Sequence, residues 1–124
     1  GGTNFLITDA GMQTLLRPAL YDSFHTILPF NRKGKEKNYT IAGPICESSD
    51  ILAKNIKLPA QIKDNFLIIC DVGAYGSVMA SNYNSKCLPA EVLVNQNKYA
   101  IIRLQEKIET LIKKDTIPEW LKIN

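Results

Sequence analysis

Short segments rich in β-branched and aromatic residues recur along this chain, separated by clusters of Gly, Pro, Asn and Asp. Such segments are typical of β-strands, and the clusters between them are typical of turns. Six segments carry the pattern: NFLIT (4–8), YTIAG (39–43), NFLIIC (65–70), SVMA (77–80), AEVLV (90–94) and KYAIIRL (98–104). Short strands joined by frequent turns predict a mostly β fold, a mostly antiparallel sandwich or barrel.

The carboxy-terminal part of the chain contains a predicted hairpin and a predicted helix. Asn tolerates positive φ, so NQN (95–97) is a credible loop between the last two strands. In RLQEKIETLIKK (103–114), apolar residues repeat at helical spacing at Leu104, Ile108, Leu111 and Ile112. Pro118 is expected to end this helix, because proline cannot continue it. Trp120 is expected to pack on the body of the domain.

Length and composition limit the class of protein. A chain of 124 residues with 45% apolar and 22% charged residues is expected to be one folded domain, residues 1–124. The net charge is only +3, and the basic cluster NRKGKEK (31–37) has no interleaved aromatic residues, which argues against nucleic-acid binding. No apolar run approaches the roughly 20 residues of a membrane span, and no signal peptide is evident. We therefore expect a cytoplasmic protein with no membrane partner.

The three cysteines, Cys46, Cys70 and Cys87, are odd in number and widely spaced, which argues against a disulfide framework. The single histidine, His25, has no close Cys pair, so no metal site is expected. Cys70 ends an apolar segment and is expected to be a small buried hydrophobe. The sequence assigns no role to Cys87. Cys46 lies beside Glu47 just after a Gly-Pro turn signal, a position that core packing does not explain.

Four turn-rich segments carry more polar and aromatic side chains than turns require. They are DAGMQTLLRPALYDSFH (9–25), GPICESSD (43–50), DVGAYG (71–76) and SNYNSK (81–86). Each alone has an ordinary explanation: Arg17 and Pro18 can form a surface turn, and the glycines of DVGAYG can supply unusual dihedral angles. The occurrence of all four in one short chain favours a functional site.

Taken in order, these segments resemble the carboxy-terminal domain of the diaminopimelate decarboxylase family, pyridoxal-phosphate enzymes of the alanine-racemase-like fold type. The resemblance runs from about Phe5 to about Arg103. It implies a mostly β domain, an antiparallel Greek-key type barrel or sandwich with one C-terminal helix. It also implies an amino-terminal β/α barrel, absent from this chain, that supplies the Schiff-base lysine and most of the cofactor pocket. The family's active sites lie at the interface of a homodimer, so dimerisation is part of catalysis.

The resemblance also assigns roles to five residues. Arg17 and Tyr21 would hold the distal carboxylate of meso-diaminopimelate, and Glu47 would pair with its distal ammonium group. Cys46 would reach the partner subunit's site and protonate the carbon that loses CO2, because a thiol of ordinary pKa near 8.5 is mostly protonated at neutral pH. Tyr75 would contact both the substrate and the cofactor, pyridoxal 5'-phosphate, which acts as the electron sink.

The function that the resemblance implies is conversion of meso-2,6-diaminopimelate to L-lysine and CO2 in lysine biosynthesis, with this chain inactive alone. The alternatives are a domain of a related decarboxylase acting on arginine, ornithine or carboxynorspermidine, and a stand-alone non-catalytic β-domain from a split gene. RPALY (17–21) followed by Cys-Glu favours diaminopimelate, whose distal end carries both a carboxylate and an amine. Asp50 is expected to orient the loop that carries Cys46, His25 to pack, and residues 30–38 to form a variable loop.

Overall fold

The computed structural model describes residues 2–122. The chain divides into two compact units, Gly1–Ala80 and Ser81–Asn124. The first unit contains β1 (Asn4–Ile7), α1 (Arg17–Tyr21), β2 (Ile27–Pro29), β3 (Glu36–Ala42), β4 (Ile51–Pro59), β5 (Leu67–Ile69) and α2 (Gly73–Val78). The second contains a 3-10 turn (Tyr83–Ser85), β6 (Glu91–Asn95), β7 (Lys98–Arg103), α3 (Ile108–Ile112) and another 3-10 turn (Glu119–Leu121). The prediction of one domain over residues 1–124 stays a prediction.

In the first unit, β3 is the central strand of a three-stranded sheet. It pairs with β4 in antiparallel fashion and with β1 in parallel fashion. β2 and β5 form a separate antiparallel ribbon. The prediction of a mostly β chain is confirmed, although only the C-terminal helix was predicted and the structure adds α1 and α2. The strand pairs are mostly antiparallel, as predicted. β1 and β3 are the exception and run parallel, because the long segment between them, which includes α1 and β2, lets the chain return in the same direction.

The core of the first unit fixes the segment that leads into α1. Six buried side chains form it: Leu15, Ile27, Tyr39, Ile41, Leu52 and Leu58. Burying each large apolar side chain contributes about 1.5–3 kcal/mol before entropy is counted. Because Leu15 belongs to this cluster, the backbone two residues before Arg17 is held against the sheet.

The predicted and observed strands of the first unit differ in three respects. SVMA (77–80) is predicted as a strand, but Ser77 and Val78 are the last residues of α2 and residues 79–80 follow the helix. The reason is that Gly76 is buried and packs this short helix close to Leu15. Residues 36–38, predicted as part of a loop, belong to β3, because they pair with residues 57–59 of β4. The sequence pattern did not predict β2 or β4.

The second unit contains the predicted hairpin. Asn95 pairs with Lys98 across a two-residue turn, and Gln96 has the positive φ (53°) that was expected of an Asn. The predicted helix is shorter than expected. It is limited to α3, because β7 continues to Arg103 and the chain leaves the helical conformation soon after Ile112.

The chain after α3 departs from two predictions. Pro118 lies well beyond the end of α3 and precedes a 3-10 turn instead, so it is not the residue that ends the helix. Trp120 belongs to that turn and is 81% exposed, so the predicted packing of its ring is wrong.

Candidate functional site

Arg17 and Tyr21 lie at the two ends of α1. Pro18 suits the first turn of a helix, because its fixed φ is already helical and the missing N–H would have no partner there. The short helix places residues four apart on one face. The guanidinium carbon of Arg17 therefore lies over the Tyr21 ring, 5.6 Å from its centre. Asp22 then ends the helix in the left-handed conformation (φ 53°).

Tyr75 approaches the same guanidinium from α2. The chain turns sharply before this helix, with positive φ at Asp71 and at Gly73, a position that favours glycine. The guanidinium carbon of Arg17 lies 5.4 Å from the centre of the Tyr75 ring. Arg17, Tyr21 and Tyr75 therefore form an arginine cluster. Tyr21 and Tyr75 are 59% and 62% exposed, so the aromatic residues of the cluster are accessible to a ligand.

Cys46 and Glu47 lie on the loop between β3 and β4. Both side chains are exposed, and Cys46 is a free thiol. The loop folds back on itself through two hydrogen bonds between residues close in sequence. The Glu47 N–H donates to Ile45 O (2.8 Å), and the Asp50 N–H donates to Glu47 O (3.0 Å). An exposed thiol and an exposed carboxylate thus belong to adjacent residues of a compact turn.

The buried residue Asp50 holds this loop in place through hydrogen bonds. Its side chain is 2% exposed, and its Oδ2 accepts a hydrogen bond from the Ile45 N–H at 2.8 Å. Its backbone oxygen also accepts one from the Gly43 N–H at 2.9 Å. The prediction that Asp50 orients the loop carrying Cys46 agrees with these contacts. The other carboxylate oxygen, Oδ1, accepts from the Met12 N–H at 2.7 Å, a contact that the sequence did not indicate.

The assigned side chains therefore fall into two groups. Arg17, Tyr21 and Tyr75 make one, and Cys46 with Glu47 makes the other. The structure joins the segments that carry the two groups through the Asp50 carboxylate. Two features of the sequence could have indicated this link. One is Asp50 in GPICESSD, and the other is a glycine in each segment, Gly11 in DAGM and Gly43 in GPICESSD.

His25 packs, as predicted. It is buried, and its Nδ1 lies 3.2 Å from the Cys70 carbonyl oxygen, which can only accept, so Nδ1–H is the donor. Cys70 itself is half-buried rather than fully buried, because it lies at the end of the ribbon where β5 gives way to the Asp71 turn.

Two properties concern the described residues as a whole. In residues 2–122, no group of three or more His, Cys, Asp or Glu side chains is arranged to hold a metal ion. None of the helices within the same residues has the length and apolar character needed to cross a membrane.

Comparisons with known proteins agree on one family. The family model described as pyridoxal-dependent decarboxylase, C-terminal sheet domain, matches residues 1–73. The diaminopimelate decarboxylase of Archaeoglobus fulgidus is 44% identical over 98% of this chain and 29% of its own length. That of Zymomonas mobilis is 43% identical over 94% of this chain and 28% of its own length.

Solved structures give the same result for the fold. Diaminopimelate decarboxylase from M. jannaschii, also solved with L-lysine, has a TM-score of 0.91 and 38% identity over 95% of this chain and 27% of that chain. The Helicobacter pylori enzyme complexed with L-lysine has a TM-score of 0.84 and 39% identity over 89% of this chain and 27% of that chain. SrLDC in complex with PLP and cadaverine has a TM-score of 0.64 and 27% identity over 71% of this chain and 23% of that chain.

This chain spans less than a third of the length of these relatives. Its strands and short helices match the corresponding part of their structures, so the resemblance seen in the sequence motifs is confirmed at the level of family and fold. The chain belongs to the family of pyridoxal-dependent decarboxylases and is a C-terminal sheet domain of that family.

Proposed function

We propose that this chain is the substrate-binding, carboxy-terminal part of a diaminopimelate decarboxylase that converts meso-2,6-diaminopimelate to L-lysine and CO2. The observation that carries the proposal is the arginine cluster, in which the exposed residues Tyr21 and Tyr75 hold the guanidinium of the half-buried Arg17. Relatives named diaminopimelate decarboxylase, two of them solved with L-lysine, support the choice of substrate. The rest of the enzyme, including the β/α barrel with its lysine, lies outside this chain, which should be inactive alone.

Arg17 and Tyr21 bind the distal carboxylate of the substrate. A guanidinium can donate two parallel hydrogen bonds to a carboxylate, and its N–H groups lie in its own plane. Contacts between the cation and the faces of the two rings therefore restrain the group without using its donors. The Tyr21 phenol adds a further donor from the same helix.

Glu47 binds the distal ammonium group. Its carboxylate projects from the 43–50 loop and supplies a negative charge for this cation. Together, Arg17 and Glu47 read the distal end as a zwitterion. This requirement distinguishes diaminopimelate from ornithine and arginine, which lack a distal carboxylate.

Cys46 is the proton donor. Its Sγ is exposed on the loop, so the thiol can reach a group outside this chain. After CO2 departs, the Cys46 S–H gives its proton to the carbon that carried the carboxylate, and this carbon becomes the CH2 group that bears the side-chain amine of lysine. The distal end, which does not react, remains the L-configured amino acid end of the product. In our proposal this carbon lies in the partner subunit's site of a homodimer, and the enzyme is cytoplasmic.

Pyridoxal phosphate, the cofactor of the family, supplies an electron sink when bound. Tyr75 fits a place beside it, because the phenol is accessible and lies next to a fixed cation. This environment suits an anionic group such as a phosphate or a carboxylate. The other residues that would hold the cofactor belong to the barrel.

The test is CO2 release by the full-length protein loaded with pyridoxal phosphate. Four substrates are offered separately: meso-diaminopimelate, ornithine, arginine and carboxynorspermidine, with the 124-residue chain as the inactive control. Selective turnover of meso-diaminopimelate is expected. Selective turnover of another substrate would assign the protein to a related decarboxylase, and no turnover of any of them would overturn the enzymatic proposal.

A further inference from the structure

Asp50 is the only Asp, Glu, Lys or Arg among the buried side chains of residues 2–122. A buried carboxylate is costly unless hydrogen-bond donors surround it. Here the donors are backbone N–H groups, and they come from two different segments of the chain. The cost of burying this charge is therefore offset by contacts that join those segments.

Each oxygen of the carboxylate binds one segment. Oδ1 accepts from the Met12 N–H at 2.7 Å, and Oδ2 accepts from the Ile45 N–H at 2.8 Å. Hydrogen bonds to an ionised acceptor are among the stronger ones in proteins. The side chain of Asp50 thus joins DAGM to GPICESSD.

Two glycines leave room for this carboxylate. A Cβ on Gly11 would lie 2.7 Å from both oxygens of Asp50, and a Cβ on Gly43 would overlap the same carboxylate and the Cα of Gly11. Neither glycine has a positive φ. Space, and not backbone conformation, therefore requires glycine at both positions.

Both segments lead directly to assigned residues. After Met12, the N–H groups of Thr14 and Leu15 donate to Gly11 O (both 2.9 Å), and this turn runs into α1 at Arg17. On the other segment, the buried residue Ile45 immediately precedes Cys46. The carboxylate is itself too buried to touch a substrate.

We propose that Asp50 is a positioning residue that fixes the Arg17 segment and the Cys46–Glu47 loop relative to each other. This role rests on the proposed function, because the arrangement it fixes is the grip on the distal zwitterion together with the proton donor. If the link is weakened, Arg17 and Glu47 are less able to bind the distal carboxylate and the distal ammonium group at the same time. The first effect is therefore on substrate binding.

The test uses the full-length protein with Asp50→Asn, which keeps the shape of the side chain but replaces one acceptor oxygen with an NH2 group. Asp64→Asn, at an exposed position of the same unit, is the matched control. Three quantities are measured: amide hydrogen exchange of residues 9–15 and 43–50, the rate of alkylation of Cys46 by iodoacetamide, and kcat and KM for meso-diaminopimelate.

We expect Asp50→Asn to accelerate exchange in both segments, to change the alkylation rate of Cys46, and to raise KM roughly tenfold, about the effect of losing one hydrogen bond to a charged group. Asp64→Asn should match the wild-type protein in all three. Faster exchange in 43–50 alone would overturn the link between segments. Faster exchange in both segments with unchanged kcat and KM would overturn the positioning role.

The wild-type protein supplies a test that does not depend on the folding of a variant. Slow exchange at the Met12 and Ile45 amides is expected, and fast exchange at either would overturn the link. Absence of turnover by the wild-type protein would overturn the proposed function, and with it the role of Asp50 in catalysis. The exchange measurement would still decide whether Asp50 joins the two segments.

Discussion

The guanidinium carbon of Arg17 lies 5.4 Å from the centre of the Tyr75 ring, although the two residues belong to different helices. Tyr75 therefore contacts the residue proposed to bind the distal carboxylate. The resemblance assigns Tyr75 to the substrate and cofactor only. The geometry adds a second role, in which the aromatic ring restrains Arg17 and the phenol remains available to a ligand.

Two substitutions of Tyr75 separate these roles in the full-length enzyme. Tyr75→Leu removes the ring and should raise KM for meso-diaminopimelate by about two- to fivefold, because a cation–π contact at an exposed site contributes about 0.5–1 kcal/mol. Tyr75→Phe keeps the ring and should lose only what the phenol contributes. Steady-state kinetics measure both, and equal KM values for the two variants would contradict a role of the ring.

Arg17→Ala should weaken substrate binding much more strongly. Loss of hydrogen bonds to a charged group costs about 1.5–3 kcal/mol, which corresponds to a rise in KM of about 10- to 150-fold. Arg17→Lys keeps the charge but not the planar fork, so its KM should lie between those of the wild-type and Ala enzymes. Arg32→Ala, in an exposed loop, is the control. An Arg17→Ala enzyme with wild-type KM would exclude the proposed role.

The fold could be predicted from the sequence where an element is specified by its own residues. β6, β7 and the turn between them follow from neighbouring β-formers and a polar pair. β4 was not predicted, because its apolar pattern is interrupted by Lys54, Asn55 and Lys57. Its conformation depends on pairing with β3. The α2 helix was not predicted, because the glycines of DVGAYG indicate a turn and SVMA indicates a strand, whereas burial of Gly76 favours the helix.

The candidate site shows the same limit. The contact between Arg17 and Tyr21 follows from a spacing of four residues in a short helix. The contact between Arg17 and Tyr75 joins helices that are distant in sequence, and no local pattern encodes it. The roles of Cys46 and Glu47 came from the resemblance and remain predictions.

Cys46→Ala in the full-length enzyme should lower kcat far more than it changes KM. General acid catalysis contributes typically about 10²–10⁴-fold, so a fall in kcat of that order is expected. Cys87→Ala removes a different free thiol and is the matched control. Stopped assays of CO2 and lysine at several substrate concentrations give kcat and KM. A wild-type kcat in Cys46→Ala would rule out the thiol as proton donor.

Glu106, in the second unit, is an acidic residue whose ionised form the fold stabilises. Its Oε2 accepts hydrogen bonds from the Leu88 N–H (3.2 Å) and the Asn82 side-chain amide (2.5 Å). The Lys114 ammonium lies 3.6 Å from Oε1. The bond from Leu88 above all, and then that from Asn82, lowers the pKa of Glu106 from its ordinary value of 4.5.

A carboxyl group whose pKa is lower in the folded state than in the unfolded state makes the folded state more stable as the pH rises. The contribution of Glu106 is fully present above its ordinary pKa of 4.5 and is lost as the pH falls through the lowered value. Glu106→Gln should therefore reduce the difference in the free energy of unfolding between neutral and strongly acidic pH, measured by urea unfolding. Glu36→Gln, at an exposed position in β3, should leave that difference unchanged. The same pH dependence in the wild-type and Glu106→Gln chains would mean that the carboxylate contributes no such stabilisation.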